Sequence, residues 1–162
     1  MTENGQWMRF LPMLGQRPHA MARVLGSEEY PTLSGNVWFF QTPYGVLVMA
    51  EFVGLPDEQN GDGIFAFHIH SGSQCSGNSE DPFADAGVHF NPSGSPHPEH
   101  AGDMPPLFGN RGLAFQVFLT DRFAVRDIIN RTVVVHAKPD DFTTQPAGNS
   151  GKKIACGPIR AF

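Results

Sequence analysis

The chain has 162 residues and carries 16 Asp and Glu against 11 Lys and Arg, a formal charge of −5 at neutral pH. That length fits one domain, spanning 1–162, with a full core, and the negative balance leaves no basic stripe for phosphates, so nucleic acid is excluded as an expected partner. No apolar run approaches the ~18 residues of a membrane span, and Gly 18, Pro 14 and Phe 14 favour short strands, turns and aromatic packing over long helices.

Residues 1–20 read as an irregular N-terminal extension punctuated by Pro12, Gly15 and Pro18, with His19 at the surface. The opening Met1–Trp7 lacks a basic start followed by an apolar stretch. A cytoplasmic location is therefore expected, with the periplasm or exterior the alternative for a trimmed chain. Strands are predicted at Ala22–Gly26, Gly35–Gln41 and Val46–Val53, the last β-rich enough to be central. A polar loop from Pro56 leads into Gly63–His70, where apolar and other residues alternate. From Ser71 to about Asn110 the pattern dissolves into Ser, Gly, Pro, Asn and Asp, read as one long structureless and functional loop. Strands resume at Gly112–Thr120 and Arg131–His136, with a short helical turn between, inside Phe123–Asn130. A second loop, Pro139–Lys153, precedes a last strand around Ile154–Ile159.

The chemistry lies in the histidines. Six of the seven form one spaced series: His68, His70, His89, His97, His100 and His136, with Asp103 close behind the fifth. Imidazole is the commonest transition-metal ligand. On a strand, residues two apart share a face about 7 Å apart, so His68 and His70 can close on one ion while Phe65, Phe67 and Ile69 pack on the other face. His89-x7-His97-x2-His100-x2-Asp103 offers three nitrogens and one carboxylate within a single loop, the donor set of a tetrahedral zinc site. A metal would also replace the apolar core that the 71–110 loop lacks. Cys75 and Cys156 stand as alternatives: a disulfide closing a loop of about 80 residues, on the order of 4 kcal/mol in the chain-entropy model, or two buried free thiols.

Phe67-His68-Ile69-His70, Gly87-Val88-His89-Phe90-Asn91-Pro92, His100-Ala101-Gly102-Asp103, Val134 to Asp141 and Gly148 to Gly157 occur in this order, and with them the chain resembles the copper/zinc superoxide dismutase family over roughly residues 20–160. The resemblance implies an all-β fold, an eight-stranded Greek-key β-barrel of immunoglobulin-like sandwich type with two long functional loops. It implies copper held by His68, His70, His89 and His136, and zinc held by His89, His97, His100 and Asp103. His89 would be the shared imidazolate and the proton donor to product. Asp140 would orient a copper histidine and a zinc histidine together, and Cys75–Cys156 would be the family's disulfide. Lys153 falls where the family usually carries an arginine facing copper; it keeps the charge without the planar fork, and with Lys138 and Lys152 it is expected to guide an anion to an otherwise negative protein. The His97–His100 spacing is short for the family, a trimmed zinc loop. The long Cys75-to-His89 segment is as in bacterial members, and Ala147 stands where a threonine is frequent.

The function implied is superoxide dismutation by a small, antioxidant oxidoreductase with superoxide as its small-molecule substrate, no membrane or nucleic-acid partner, and a monomeric or homodimeric state. A copper/zinc protein for metal delivery or storage without turnover is the alternative; retention of all four copper candidates favours the enzyme. A cupin-type oxygenase wants a glutamate shortly after the HxH pair, where Ser73 and Gln74 stand, and a purely structural zinc domain leaves His68, His70 and His136 idle.

Overall fold

The protein is described from a computed structural model, over residues 11–56 and 63–162. Eight strands form one antiparallel sheet: β1 (Ala20–Gly26), β2 (Ser34–Thr42), β3 (Gly45–Val53), β4 (Ile64–His70), β5 (Asp103–Phe108), β6 (Ala114–Thr120), β7 (Thr132–His136) and β8 (Lys153–Ala161). Their order is β5-β4-β7-β8-β1-β2-β3-β6. The connections β3 to β4 and β6 to β7 leap across the sheet, and the sheet curls until its two end strands face each other. Gln116 Nε2 on β6 donates to the Pro105 carbonyl on β5 at 3.1 Å, drawing the seam together.

One core fills this nearly closed barrel. Ala20, Ala22 and Val24 of β1, Val37 and Phe39 of β2, and Val46, Val48, Ala50 and Phe52 of β3 point inward at the period of two that strands impose. Phe65, Phe67 and Ile69 join them from β4, and Val133 and Val135 from β7. Phe52 and Phe67 meet edge to face at 5.8 Å across the barrel, a geometry aromatic rings prefer.

Two expectations change. The loop from Ser71 to Asn110 is not structureless: β5 lies within it, and residues Ala84–Ala86 make a 3-10 turn. Met104-Pro105-Pro106-Leu107 hides a strand because proline cannot donate to a ladder, yet β5 is an end strand and has only β4 to pair with. Met104 and Leu107 face the core. The irregular 1–20 extension is also shortened. Its residues 1–10 lie outside the described residues, Leu11–Leu14 is one helical turn, and Ala20 already belongs to β1. The helical turn foreseen inside Phe123–Asn130 is Val125–Ile128 (with Val125 and Ile128 buried), and the remaining strands fall where the alternation placed them.

On the outer face of β4, Ala66, His68 and His70 are also buried, which an ordinary surface strand would not be. The covering is the segment between β4 and β5 together with the loop before β8. A disulfide, Cys75–Cys156, pins the first of these to β8 with its Cα atoms 5.6 Å apart. Around it Phe83, Ala86, Val134 and Cys156 make a small second apolar cluster.

Candidate metal centre

Strand pairing builds most of the site. His68 lies opposite Asp103 in the β4–β5 ladder and opposite Val134 in the β4–β7 ladder. His136 ends β7 on the same outward face. His89 is delivered by the covering loop through an isolated bridge to His70. His97 and His100 follow on that loop, which is seated against β4 by Ile69 N to Gly102 O (2.9 Å), Phe90 N to Ile69 O (2.8 Å) and Gly102 N to Phe90 O (2.8 Å). A Cβ on Gly102 would lie 2.2 Å from the Ile69 carbonyl, so only glycine permits that approach.

The result is two adjoining clusters of buried donors. His68, His70, His89 and His136 offer ligand atoms all within 4.8 Å of one another, and so do His89, His97, His100 and Asp103. One ring, His89, belongs to both. Its Nδ1 lies 2.8 Å from Asp103 Oδ1 and 3.3 Å from His100 Nδ1, toward the second cluster. Its Nε2 is buried with no hydrogen-bond partner among the described residues.

The protonation of the other rings follows from their partners. His70 Nδ1–H donates to the Gly87 carbonyl (2.8 Å) and His136 Nδ1–H to that of Gly151 (3.2 Å), which leaves the two Nε2 lone pairs facing each other 3.1 Å apart. His68 Nε2–H donates to Asp140 Oδ2 (2.7 Å) and His97 Nε2–H to Asp140 Oδ1 (2.8 Å). Both of those rings keep a buried Nδ1 lone pair without a hydrogen-bond partner, and that of His97 faces Asp103 Oδ2 at 3.0 Å. Buried polar atoms left unpaired are costly, and lone pairs turned toward one another repel. Cations between them remove both penalties, so the donors fit two metal ions: four imidazoles in one position, three imidazoles and a carboxylate in the other.

Burial also keeps these donors free of protons. It pushes His136 down to about 3, helped by the nearby His68, and pushes His70 well below its ordinary value, with His136 and His89 adding to the effect. His68 and His100 are lowered by burial too, against the pull of their aspartates. For Asp140, burial would raise the pKa, but hydrogen bonds from His68, the Phe142 N–H and His97 bring it down to about 2. Asp103 is lowered in the same way, chiefly by His89.

Several supporting residues had no sequence signal. Gln145 clamps His97 by accepting from its N–H (2.9 Å) and donating to its carbonyl (2.7 Å). Arg122 Nη1 donates to the carbonyls of Pro98, His100 and Asp103, at 2.7, 3.2 and 3.4 Å, and so fastens the short zinc-type loop from outside. Gly148, in left-handed backbone at φ +65°, lets the chain run against Asp140 and His97, since a Cβ there would lie 1.9 Å from Asp140 Oδ1. Single long-range contacts of common residue types leave no local pattern to read.

The expected anion guides are placed differently from the expectation. Lys153 does sit opposite His136 in the β7–β8 ladder, but its amine is ion-paired with Asp81. Lys152 is paired with Glu29 at 2.6 Å, and Lys138 is exposed. His19 is exposed, as expected, and accepts a hydrogen bond from the Gln41 N–H. His136 and Lys153 line a cleft of about 1000 Å³ that opens between the first covering loop and the β1–β2 turn.

Fold and site together define a class, a β-barrel metalloprotein with two neighbouring ion positions. The family model described as copper/zinc superoxide dismutase matches residues 33–159. The chain is 37% identical over 141 residues to superoxide dismutase [Cu-Zn] 2 of Aquifex aeolicus, covering 78% of each. It is 33% identical over 167 residues to superoxide dismutase [Cu-Zn] of Deinococcus radiodurans, covering 92% of this chain and 87% of that one. The solved Cu/Zn superoxide dismutase from Brucella abortus shares the fold, with a TM-score of 0.72 at 24% identity over 86% of this chain and 98% of that one. The chain belongs to the copper/zinc superoxide dismutase family, and copper and zinc are its cofactors.

Proposed function

We propose that this protein dismutates superoxide, converting two superoxide anions and two protons into dioxygen and hydrogen peroxide, with copper at His68, His70, His89 and His136 and zinc at His89, His97, His100 and Asp103. The observation that carries this reading is the His89 ring, which belongs to both donor clusters, with one nitrogen 2.8 Å from Asp103 and the other buried and unpartnered among the described residues. Copper supplies electron exchange between its two oxidation states, and zinc supplies fixed charge and rigidity.

The chain's own residues then have defined tasks. His70 and His136, oriented by the Gly87 and Gly151 carbonyls, present their Nε2 atoms. Asp140 holds His68 and His97 in matched orientations, so the two ion positions are set by one carboxylate. His89 Nε2, buried without a hydrogen-bond partner among the described residues, would be the nitrogen that passes a proton to product. His136, buried itself, lines the open cleft on one side of the site, the side from which a small anion would approach. That access favours turnover over the delivery or storage reading, which needs only enclosure.

Superoxide is thus the partner, met by a monomer or a homodimer; light scattering separates the two. Cys156 is buried at 3% exposure and Cys75 is half-buried, so the disulfide is shielded on the Cys156 side alone; cell fractionation tests the cytoplasmic placement. The deciding experiment is superoxide consumption as a function of bound copper in zinc-loaded protein. Activity proportional to copper, lost in His89→Ala together with copper–zinc magnetic coupling, is the expected result. Full copper loading without consumption would establish the storage protein instead.

A further inference from the structure

The segment Asn78-Ser79-Glu80-Asp81-Pro82-Phe83 is a tightly bonded turn. Asn78 Oδ1 accepts from the Glu80 and Asp81 N–H groups at 2.9 and 3.0 Å. The Asp81 carbonyl accepts from Asn78 N (2.9 Å) and Ala84 N (3.1 Å). Asp81 Oδ1 accepts from Phe83 N at 3.0 Å, and Phe83 is itself buried against Val134 and Cys156. The backbone and one carboxylate oxygen of Asp81 are therefore fixed. The remaining oxygen, Oδ2, takes the Lys153 amine.

Lys153 and Asp81 line the same cleft as His136. The lysine side chain is 15% exposed and the aspartate 39%, so the carboxylate is the more outward of the two. The cleft's other cation, Lys152, is held by both oxygens of Glu29. Glu28 and Glu80 also line it and form no ion pair among the described residues. Each cation at this mouth is thus matched by a carboxylate and two carboxylates are left over. A contact ion pair presents to a distant charge only a dipole, whose field falls off faster than that of a lone cation.

We propose that Asp81 is a specificity-determining counter-charge: by holding Lys153, it withdraws the one cation beside His136 from anions entering the cleft and sets their affinity lower than an unpaired lysine would. The inference rests on the proposed copper position at His68, His70, His89 and His136, reached through this cleft. It concerns anion binding, which is measured apart from turnover.

The test uses copper- and zinc-loaded protein with azide as the anion probe, titrated by visible absorption and electron paramagnetic resonance at several salt concentrations. Asp81→Asn keeps an oxygen for the Phe83 N–H and removes the charge; Asp81→Ser does the same with a hydroxyl, should the amide disturb the turn. Either variant is expected to bind azide about three- to tenfold more tightly, the effect of one unmasked charge a few ångströms away, with a steeper loss on adding salt. Lys153→Gln is expected to weaken binding, and Asp81→Asn with Lys153→Gln to return it to within about twofold of the parent. Unchanged or weaker binding in both Asp81 variants overturns the proposal, as does a double variant that binds as tightly as Asp81→Asn alone. Azide binding that follows the expected series in a protein that consumes no superoxide overturns the dismutase reading and leaves this one standing. No azide response in any variant overturns this proposal and leaves the dismutase reading to its own test of superoxide consumption.

Discussion

The two halves of the barrel are built from the same kind of strand and end differently on their outer faces. On β1, β2, β3 and β6 most outward residues are at least partly exposed, Phe40, Thr42 and Leu47 excepted: Phe115 is 68% exposed, with Val117 and Leu119 also exposed on β6. On β4 and β7 the outward residues are sealed, and every position of β7 is buried. The sealed residues include His68, His70 and His136, groups that normally prefer water. Their burial is maintained by loops that contain few apolar residues and depend instead on a disulfide, on hydrogen bonds to carbonyls, and on the ions the donors fit. One half is stabilised by the core beneath it; the other also needs ligands and a crosslink above it.

Removing the crosslink tests that division most severely. Replacing Cys75 and Cys156 together by serine is expected to destabilise the metal-free protein by about 4 kcal/mol, a loss visible as a lower Tm. Hydrogen exchange should rise first in residues 71–102 and around β8, leaving β2 and β3 protected; uniform exchange across both halves would show the division to be false.

Next in size is the carboxylate that ties the two ion positions. Asp140→Asn leaves an amide that cannot accept from both His68 and His97, and zinc affinity is expected to fall by about 10- to 100-fold. Competitive titration with a chelator measures this, and an affinity within twofold of the parent refutes the orienting role.

Acid acts on the same half. His68, His70, His100 and His136 have pKa values below those of the unfolded chain, so as pH falls the unfolded chain takes up protons that the folded chain refuses. Stability of the metal-free protein is therefore full above about 6.5 and is lost as pH drops toward 3, the value to which His136 is lowered. The slope is about 1.4 kcal/mol per pH unit for each such histidine. Asp140, ionised down to about 2, moves stability in the same direction below its unfolded value near 4. Denaturant melts between pH 7 and 4 read the slope directly; a flat profile would mean the rings are hydrated. Metal-loaded protein should resist until the protons outcompete the ions.

The open half should scarcely respond. Phe115→Thr exchanges one strand-forming residue for another on an exposed face and is expected to shift stability by no more than about 0.5 kcal/mol. A larger loss measured in dilute solution would show that this face is covered by something.

Legibility in the sequence followed the same boundary. Strands β1, β2 and β3 announce themselves as β-rich runs set off by turn residues such as Pro43 and Gly45. β5 does not, since Pro105 and Pro106 are tolerated only where no second neighbour requires an N–H. The ligand candidates were legible because histidine is scarce and was spaced along strands and one loop; the clamps at Gln145 and Arg122 were not, because a single hydrogen bond over 20 or more residues leaves no periodic trace. Lys153 was legible as a cation beside His136 and illegible as half of an ion pair.

The amino-acid order alone determined the strand alternation, the inventory of metal donors and, through its motifs, the family. It did so because strand geometry repeats every two residues and because imidazole has few other reasons to recur at such spacing. Which charges confront an incoming anion, which nitrogen of each ring stays bare, and how prolines find an end strand were decided only in three dimensions. Those properties belong to pairs of residues far apart in the chain, and no local interval records them.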